Sequence, residues 1–479
     1  MKIVYVSPEI APFSKTGGLA DVAQALPKAL RALGHDVRSV MPKYPSVTRI
    51  RAVLEPAAAF PVVMHNGLQS AVAWQSDNGG VPIYFIENEV YFNRDGNYGL
   101  GNWDYPDNLE RFVFFCKAVL ELCKAMDFRP DVIHCNDWQT APLPALLKLV
   151  YRQYRSDSFF TDSPCRVVFS IHNIAYQGLF PQEQWPVLTI PRGYYVNDFE
   201  YYGRINLMKS AIIHADKIHT VSETYAREIQ TTEFGFGLQG VLWNRREDLR
   251  GILNGADYQE WDPAVDPHTY GIRYSADDMG GKRLIKSRLL ADYGLPERDG
   301  VPLIGMTTRF VAQKGLDLLT ACAEGILHLD TRLIVLGEGE HRYHDFFEWL
   351  LRTHPDRVGL YIGYNDELAH RIQAGADMFL MPSHFEPCGL TQIYSLKYGT
   401  LPIVRLTGGL ADTIQDGVNG FTFFDYHPHF LYETVRRACD TYRNRPDQWE
   451  GMMRTAMGQD FSWRRSAEKI VALYGEGKN

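Results

Sequence analysis

The stretch Lys15-Thr16-Gly17-Gly18-Leu19-Ala20-Asp21-Val22 decides how the rest of this sequence is organised. Six of its residues, 16–21, recur as residues 407–412 near the other end of the chain. Each copy follows an apolar, strand-like run and precedes an amphipathic run. Two glycines at a strand-to-helix junction let the backbone approach a ligand, and the free N–H groups of a helix start can bind an anion. The repeat predicts two similar α/β halves that face a shared cleft. Each glycine turn either only shapes the backbone or also binds a phosphate. Lys15 precedes the first turn and favours a phosphate site there.

Bulk properties restrict the class of protein. The chain has 479 residues, which predicts two or three domains, and its 45% apolar and 22% charged residues are typical of soluble globular proteins. A formal charge of −8 argues against nucleic-acid binding. No apolar run reaches the ~20 residues that span a bilayer. The seven cysteines form no Cys-x-x-Cys pair, and the chain begins with a strand pattern instead of a signal sequence, so we expect a cytoplasmic protein.

The N-terminal pattern predicts a βαβ unit. Residues 2–6 and 36–41 have strand character, and apolar residues between 19 and 33 recur at helical spacing. Such a unit requires a parallel sheet. Pro27 lies inside the helical pattern, where proline is expected to kink the helix or end it early. The following stretch, 51–87, has the pattern of β-hairpins.

Residues 92–108 form a long polar segment rich in glycine and aromatic residues. A loop of this length inside a compact domain is usually functional or mobile. Exposed Trp, Tyr, Asn and Asp side chains suit sugar recognition, because sugar rings stack on aromatic rings and sugar hydroxyls bond amides and carboxylates. A surface loop without a ligand remains an equal alternative.

Two predicted strands of the first half end in polar residues. The strand at 131–135 leads to Asp137, and the strand at 166–171 leads to His172 and Asn173. Ligands of open α/β sheets bind at the carboxyl ends of strands. Asp137 is placed to contact a ligand or to cap a helix. His172 could be a base, a ligand contact or a structural donor, and no Ser or Cys nucleophile accompanies it in sequence.

From residue 301 onwards, strands and helices alternate, which predicts a doubly wound parallel sheet. The predicted strands are 302–308, 332–337, 358–362, 377–381 and 401–405, and the predicted helices are 315–328, 341–353, 366–375, 390–398 and 410–416. The residue pattern changes near 250–265, and we place the crossing between the two domains there. A final amphipathic helix at 461–475 is expected to return to the first half. We therefore predict an N-terminal domain of 1–252 with 457–479 and a C-terminal domain of 253–456.

Charged residues follow two strands of the second half. Arg309 and Lys314 could clamp a diphosphate, or they could belong to a solvated basic turn. Glu386 precedes a helix start whose residues Gly389, Leu390 and Thr391 offer N–H groups to a phosphate. Cys388 is more easily explained as a packed or substrate-contacting thiol than as a nucleophile, because no histidine–carboxylate pair accompanies it.

No metal site stands out in the sequence. His341 and His344 share a helix face at i, i+3 spacing and are interpreted as surface residues. No Asp-x-Asp pair stands at a strand end. A phosphate clamp would therefore consist of Arg, Lys and helix dipoles.

Together these motifs resemble the bacterial glycogen synthases and plant starch synthases. The resemblance covers the whole chain, in order, and rests on these segments: 15–19, 172–173, Arg309 with Lys314, 386–392 and 407–410. It implies a GT-B fold, in which two Rossmann-like domains face each other across a deep cleft. It also implies retaining transfer of glucose from ADP-glucose to the non-reducing 4-OH of an α-1,4-glucan such as glycogen, without a metal. We expect no cofactor, no nucleic-acid partner and no membrane.

The resemblance also implies roles for individual residues. On the first domain, Lys15 and the Gly17-Gly18 turn, with Asp21 among the binding residues, would approach the diphosphate and sugar. Asp137, His172 and Asn173 would line the sugar and acceptor side, with the His172 backbone facing the anomeric carbon.

On the second domain, Arg309 and Lys314 would neutralise the leaving diphosphate. The helix start at 389–391 would bind the distal phosphate next to Cys388, Glu386 would hold the glucose hydroxyls, and Tyr364 would stack on the adenine.

One position departs from the wider pattern of retaining GT-B enzymes. Many of them carry a second glutamate eight residues after the first, whereas this chain has Tyr394. The synthases that it resembles share this difference, so the site is not interpreted as inactive. Because residue 394 is a tyrosine, however, the ribose cannot be recognised by a carboxylate at this position.

No carboxylate is convincingly placed as a covalent nucleophile. This favours a front-face mechanism in which the leaving diphosphate helps to deprotonate the acceptor, within a cleft that closes about hinges near 250–260 and 455–460. A pyridoxal-dependent glucan phosphorylase, a sugar-nucleotide epimerase and a glucan-binding protein without activity remain alternatives. Absorbance of a bound cofactor would identify the phosphorylase, and conversion of the donor without an acceptor would identify the epimerase. Absence of ADP release would identify the glucan-binding protein.

Overall fold

The computed structural model describes residues 1–101, 103–154, 157–162 and 165–476. Contacts among these residues divide the chain into two compact units. The first comprises Met1–Val221, Ala226–Gly255 and the residues from Trp463 onwards, and the second comprises Ser222–Tyr225 and Ala256–Ser462. The domain boundaries given above, at 252/253 and 456/457, stay a prediction.

The first unit is built on a sheet of nine described strands. Across the sheet they are Leu249–Gly251, Lys217–Thr220, Arg166–Ile171, Val132–Asn136, Lys2–Val6, Asp36–Pro42, Val81–Glu87, Gly67–Asn78 and Glu55–Met64. The first seven run parallel, and the last two form an antiparallel hairpin extension. The predicted βαβ unit and the predicted hairpins are therefore confirmed.

Helices of the first part of the chain are Gly18–Ala32, Pro45–Arg49, Glu89–Phe92, Asn108–Ala125, Pro142–Ala145, Ser158–Thr161, Leu207–His214, Glu223–Glu228 and Gln239–Asn244. Wider or tighter helical turns cover Leu146–Tyr154, Gln182–Leu188, Arg192–Tyr194 and Tyr195–Phe199. Short strand pairings join Leu179–Pro181, Arg204–Asn206 and Glu200–Tyr201, and Gly99–Leu100 with Trp103–Asp104.

The helix Gly18–Ala32 continues through Pro27, so of the two expected outcomes the early end is wrong and the kink stays a prediction. Pro27 and its neighbours Val22, Leu26 and Leu30 are buried on one face of the helix. The apolar burial of this face offsets the backbone hydrogen bond that proline cannot donate. The helix also contacts the last helix of the chain, Trp463–Gly475, which confirms that the C-terminal helix returns to the first unit.

The second unit has a wholly parallel sheet of six described strands. Across the sheet they are Val358–Ile362, Arg332–Gly339, Leu303–Phe310, Met378–Met381, Leu401–Arg405 and Phe421–Phe423. Its helices are Gly280–Asp292, Ala312–Lys314, Leu316–His328, His341–Thr353, Asp366–Gly375, Thr391–Lys397, Gly408–Thr413, Pro428–Asn444 and Pro446–Met457. The predicted alternation is confirmed, and four helices were not predicted: Gly280–Asp292, the short Ala312–Lys314, Pro428–Asn444 and Pro446–Met457.

In both sheets, successive strands are added on one side of the first strand and then, from one point in the chain, on its other side. Numbered along the chain, the six strands of the second unit lie in the order 3-2-1-4-5-6, which is the doubly wound Rossmann order. The parallel strands of the first unit follow the same scheme. The reversal lies between Lys2–Val6 and Val132–Asn136 in one sheet, and between Leu303–Phe310 and Met378–Met381 in the other. Ligands of such sheets bind beyond the carboxyl ends of these strands.

Candidate active site

In the first unit, the loop after Lys2–Val6 carries Lys15 and the glycine pair. Lys15 Nζ lies 2.7 Å from Asp21 Oδ1, and both side chains remain partly exposed. Asp21 thus positions the ammonium in addition to any ligand contact of its own. A Cβ atom added at Gly17 or Gly18 would meet no described atom within 4 Å. The fold itself therefore has no steric need for glycine here, and the open space in front of the turn suits a ligand.

Glu9 anchors this turn and was missed from the sequence. Its carboxylate is buried, and Oε2 accepts hydrogen bonds from the Thr16 backbone N–H at 2.8 Å and the Thr16 hydroxyl at 2.5 Å. Burial raises the pKa of Glu9 to about 7. Burial also raises the pKa of Tyr98, and the charges of Glu9 and Asp137 add to the effect. The Asn97 side chain donates to the Ser14 hydroxyl at 2.7 Å, so this part of the loop 92–108 lies against the segment that carries Lys15.

Asp137 occupies the turn beyond the strand Val132–Asn136. Its backbone adopts a left-handed conformation, with φ at 57°, which is uncommon for a residue with a side chain. Oδ1 accepts the backbone N–H of His172 at 2.8 Å, which joins the ends of two neighbouring strands. Burial raises the pKa of Asp137 to about 7.

His172 is held as a neutral imidazole. Burial, helped by His219, lowers the pKa of His172 to about 3. Its Nε2 lies 2.9 Å from Asn136 Oδ1, and the Asn136 amide nitrogen donates to the Val6 carbonyl. Since that bond fixes the amide oxygen towards the imidazole, Nε2 carries the proton. His172 therefore cannot supply a positive charge near neutral pH. The Asn173 side chain accepts the backbone N–H of Ala175 at 3.0 Å, which shapes the same strand end.

In the second unit, the structure brings Lys314 and Glu386 together from 72 residues apart. Lys314 Nζ lies 2.6 Å from Glu386 Oε2, and the pair is largely buried. The Ser383 hydroxyl donates to the same oxygen at 3.0 Å. Both of these contacts use Oε2, so Oε1 can accept from the hydroxyls of a ligand.

The turn before Lys314 is fastened to the Glu386 loop by backbone contacts. His384 donates its N–H to the Gln313 carbonyl at 2.9 Å. Gly315 has φ at 68°, and a Cβ atom there would lie 1.9 Å from the Pro382 carbonyl oxygen. Only glycine fits this approach. Arg309 is exposed near the end of its strand, and its guanidinium makes no hydrogen bond or ion pair with the part of the chain that the structure describes.

The second copy of the repeated motif supports this loop instead of presenting an open turn. Gly409 donates its N–H to the Glu386 carbonyl at 3.1 Å. A Cβ atom at Gly408 would lie 1.9 Å from the Glu386 carbonyl oxygen, and one at Gly409 would lie 2.0 Å from that of Cys388. The two copies therefore share a sequence and serve different purposes. The first is open, whereas the second packs behind Glu386.

The helix Thr391–Lys397 begins directly after Gly389 and Leu390. Gly389 has φ at 70°, and the Gln392 side chain donates to the carbonyls of Cys388 and Gly389. These bonds hold the turn in front of the helix. Cys388 is buried, and none of the seven cysteines, all of which lie in described residues, forms a disulfide.

Tyr364 and Tyr394 differ sharply in exposure. Tyr364 is 70% exposed, and its hydroxyl donates to Asp366 Oδ1 at 3.1 Å. This leaves a ring face accessible for stacking. Tyr394 is 9% exposed and stacks on Trp261, with ring centroids 4.1 Å apart. The position where other enzymes carry a second glutamate is therefore occupied by a packed aromatic ring.

The raised pKa of Glu9 makes a testable prediction about stability. Between its ordinary pKa of 4.5 and its folded value of about 7, the unfolded chain releases a proton that the folded chain keeps. Stability must therefore fall as pH rises through this window. Glu9→Gln retains the acceptor for Thr16 and should reduce the loss between pH 5 and pH 8 by on the order of 2 kcal/mol. Denaturant unfolding at both pH values measures it.

Glu247, whose side chain is 90% exposed, provides the control for this experiment. Glu247→Gln should leave the pH dependence of unfolding unchanged. Equal pH dependence in wild type and Glu9→Gln would show that the Glu9 carboxyl is not held protonated by burial.

No described helix is long and apolar enough to cross a membrane. Family models match both parts of the chain: a starch synthase catalytic domain over residues 2–244, and a glycosyl transferase group 1 domain over residues 293–450. The chain is 46% identical to a glycogen synthase of Geotalea uraniireducens, covering 99% of this chain and 98% of the relative. It is 45% identical to a glycogen synthase of Moorella thermoacetica, with 99% and 96% covered.

Solved structures give the same result. The catalytic domain of starch synthase IV from Arabidopsis thaliana, bound to ADP and acarbose, is similar with a TM-score of 0.90 and 33% identity, covering 99% of this chain and 98% of that one. A sucrose-phosphate synthase from Thermosynechococcus elongatus, at 16% identity and a TM-score of 0.59, shares the fold. These likenesses confirm the GT-B fold class of two α/β domains.

Proposed function

Because this chain belongs to the glycogen synthase and starch synthase family and is a glycosyltransferase of glycogen synthesis, we propose that its donor is ADP-glucose. We further propose that its acceptor is the non-reducing 4-OH of an α-1,4-glucan, and that it acts in the cytoplasm. The observation that carries the proposal is the buried Lys314–Glu386 pair at the switch point of the second sheet. A cation for phosphate and a carboxylate for sugar hydroxyls stand side by side there.

We assign the phosphate side of the donor to basic groups. Arg309 and Lys314 neutralise the diphosphate as it leaves, and the N–H groups at Gly389, Leu390 and Thr391 bind its distal phosphate. Lys15 approaches the diphosphate from the open Gly17-Gly18 turn, with Asp21 holding its ammonium. Charge stabilisation in a dry site is the largest contribution that such groups make.

The sugar and base are assigned to the remaining residues. Glu386 accepts hydrogen bonds from glucose hydroxyls, and Cys388 packs beside them. Asp137, His172 and Asn173 line the sugar and acceptor side, with Glu9 and Tyr98 supporting that wall. Tyr364 offers its exposed ring to the adenine.

The proposed chemistry follows from these assignments. The bond between glucose C1 and the diphosphate oxygen breaks while the acceptor O4 bonds to C1 on the same face. The acceptor proton passes to the departing diphosphate. His172 is neutral, and no described carboxylate has been placed as a covalent nucleophile. Retention of configuration is therefore assigned to the front-face path.

A comparison of donors tests the substrate. With glycogen as acceptor, we expect the purified protein to release ADP from ADP-glucose at least ~10-fold faster than it releases UDP from UDP-glucose, by kcat/KM. Such a ratio corresponds to about 1.4 kcal/mol of discrimination. A coupled assay for each nucleoside diphosphate measures it, and reactions without glycogen give the background. Faster turnover of UDP-glucose would overturn the choice of donor.

A further inference from the structure

We propose that His268, His370 and Asp366 form a binding site for a divalent transition metal of the Zn²⁺ class. Each of the three residues offers one ligand atom, and these atoms lie within 4.8 Å of one another. Asp366 and His370 are four residues apart in the helix Asp366–Gly375, so they share one face. His268 reaches the same face from a loop about a hundred residues earlier in the sequence.

The burial and hydrogen bonding of His370 are the main evidence for this site. Its side chain is fully buried, and Nδ1 lies 2.9 Å from Asp266 Oδ2. Since a carboxylate accepts, Nδ1 carries the proton, and the lone pair is on Nε2. Nε2 is buried and has no hydrogen-bond partner among the described residues. An unsatisfied buried polar atom costs about 1–3 kcal/mol, and a metal ion would satisfy this one.

Asp266 organises both histidines at once. Its Oδ1 accepts the backbone N–H of His268 at 2.8 Å, and its Oδ2 accepts from His370 and from the Tyr398 hydroxyl. A carboxylate behind a histidine is the usual outer-shell partner that orients a metal ligand. The His370 ring is also stacked on Trp261, with centroids 3.7 Å apart. Its orientation is thus fixed before any metal arrives.

The donor set selects the class of metal. Two imidazoles and one carboxylate, with a fourth position for water, suit Zn²⁺ and related ions better than Mg²⁺ or Ca²⁺. In a tetrahedral site with bonds of ~2.0–2.1 Å, the ligand atoms lie ~3.4 Å apart. Asp366 is exposed and can move inward from its hydrogen bond with Tyr364. The nearby cation, Arg371, is paired with Glu367.

Zn²⁺ titration of the full-length protein after chelator treatment and dialysis tests the site. By calorimetry, we expect one Zn²⁺ per chain with a Kd in the micromolar range or tighter. His268→Ala and Asp366→Asn should each weaken binding at least ~10-fold. Zn²⁺ should raise the thermal midpoint of wild type but not of these variants, because it binds the folded state. That midpoint without metal also shows whether each variant folds.

His341→Ala is the matched control, because it removes an exposed histidine from another helix. It should leave both Zn²⁺ affinity and the thermal shift unchanged. Absence of saturable Zn²⁺ binding by wild type would overturn the proposal. So would wild-type affinity in both His268→Ala and Asp366→Asn, or an equal loss of affinity in His341→Ala.

Discussion

Replacing Glu386 by alanine should lower kcat at least ~100-fold, a loss of about 2.7 kcal/mol of transition-state stabilisation, while the protein stays folded. The carboxylate is proposed to hold the glucose hydroxyls through Oε1, while Lys314 and Ser383 hold Oε2. Without it, the sugar is no longer oriented as its bond to the diphosphate breaks. Steady-state ADP release measures the effect.

ADP affinity separates this role from general damage. If Glu386 contacts the sugar and not the nucleotide, Glu386→Ala should bind ADP within ~3-fold of wild type by calorimetry. Near-normal turnover in the folded Glu386→Ala variant would show that Glu386 does not hold the sugar.

A second buried ion pair in the same unit provides the matched control. Lys286 Nζ lies 2.7 Å from Asp377 Oδ2, with both side chains about as buried as the Lys314–Glu386 pair. Asp377 precedes the strand Met378–Met381, and Glu386 follows it, so the two pairs lie at opposite ends of that strand. Lys286→Met should lower the thermal midpoint, since it leaves a buried carboxylate unpaired, yet retain the kcat of the folded protein.

Replacing Lys15 by alanine is expected to cost at least ~100-fold in kcat/KM, again about 2.7 kcal/mol. The ammonium is proposed to meet the diphosphate from the open glycine turn, where its charge counts most as the leaving group gains negative charge. Because Lys15 is partly exposed and its pair with Asp21 is a surface ion pair, its loss should hardly change stability. Kinetics and thermal unfolding of the purified variant measure the two effects.

Arg436→Ala controls for the loss of an exposed cation. Arg436 pairs with Glu433 at 2.8 Å with similar exposure, on the helix Pro428–Asn444. It should keep wild-type kcat/KM. If Lys15→Ala and Arg436→Ala are equally active, Lys15 does not act on the donor.

The candidate site residues could be proposed from the sequence because the ends of strands are easy to recognise. Buried strands are short apolar runs, and the polar residues that follow them, such as Asp137 and Glu386, stand out. In a doubly wound sheet these ends converge at the switch point, so their positions followed from the topology. Whether the helix ends at Pro27 or continues through it could not be decided from the sequence, because the outcome depends on how the buried face packs.

Contacts between distant segments could not be derived from spacing. Nothing local shows that Lys314 and Glu386 pair, that Glu9 accepts both hydrogen bonds of Thr16, or that His268 reaches the helix of His370. The repeated motif is the clearest case. Identical residues form an open turn at Gly17 and a packed support at Gly408, and only the neighbouring backbone distinguishes them.

The anomeric configuration of the product tests the central claim most directly. The protein is incubated with ADP-glucose labelled with ¹³C at C1 and with a short maltooligosaccharide, and the product is followed by NMR. We predict that the label appears as an α-1,4-linked residue at the non-reducing end, with one ADP released per glucose transferred. A β-linked product, or labelled free glucose without chain extension, would contradict retaining transfer to a glucan.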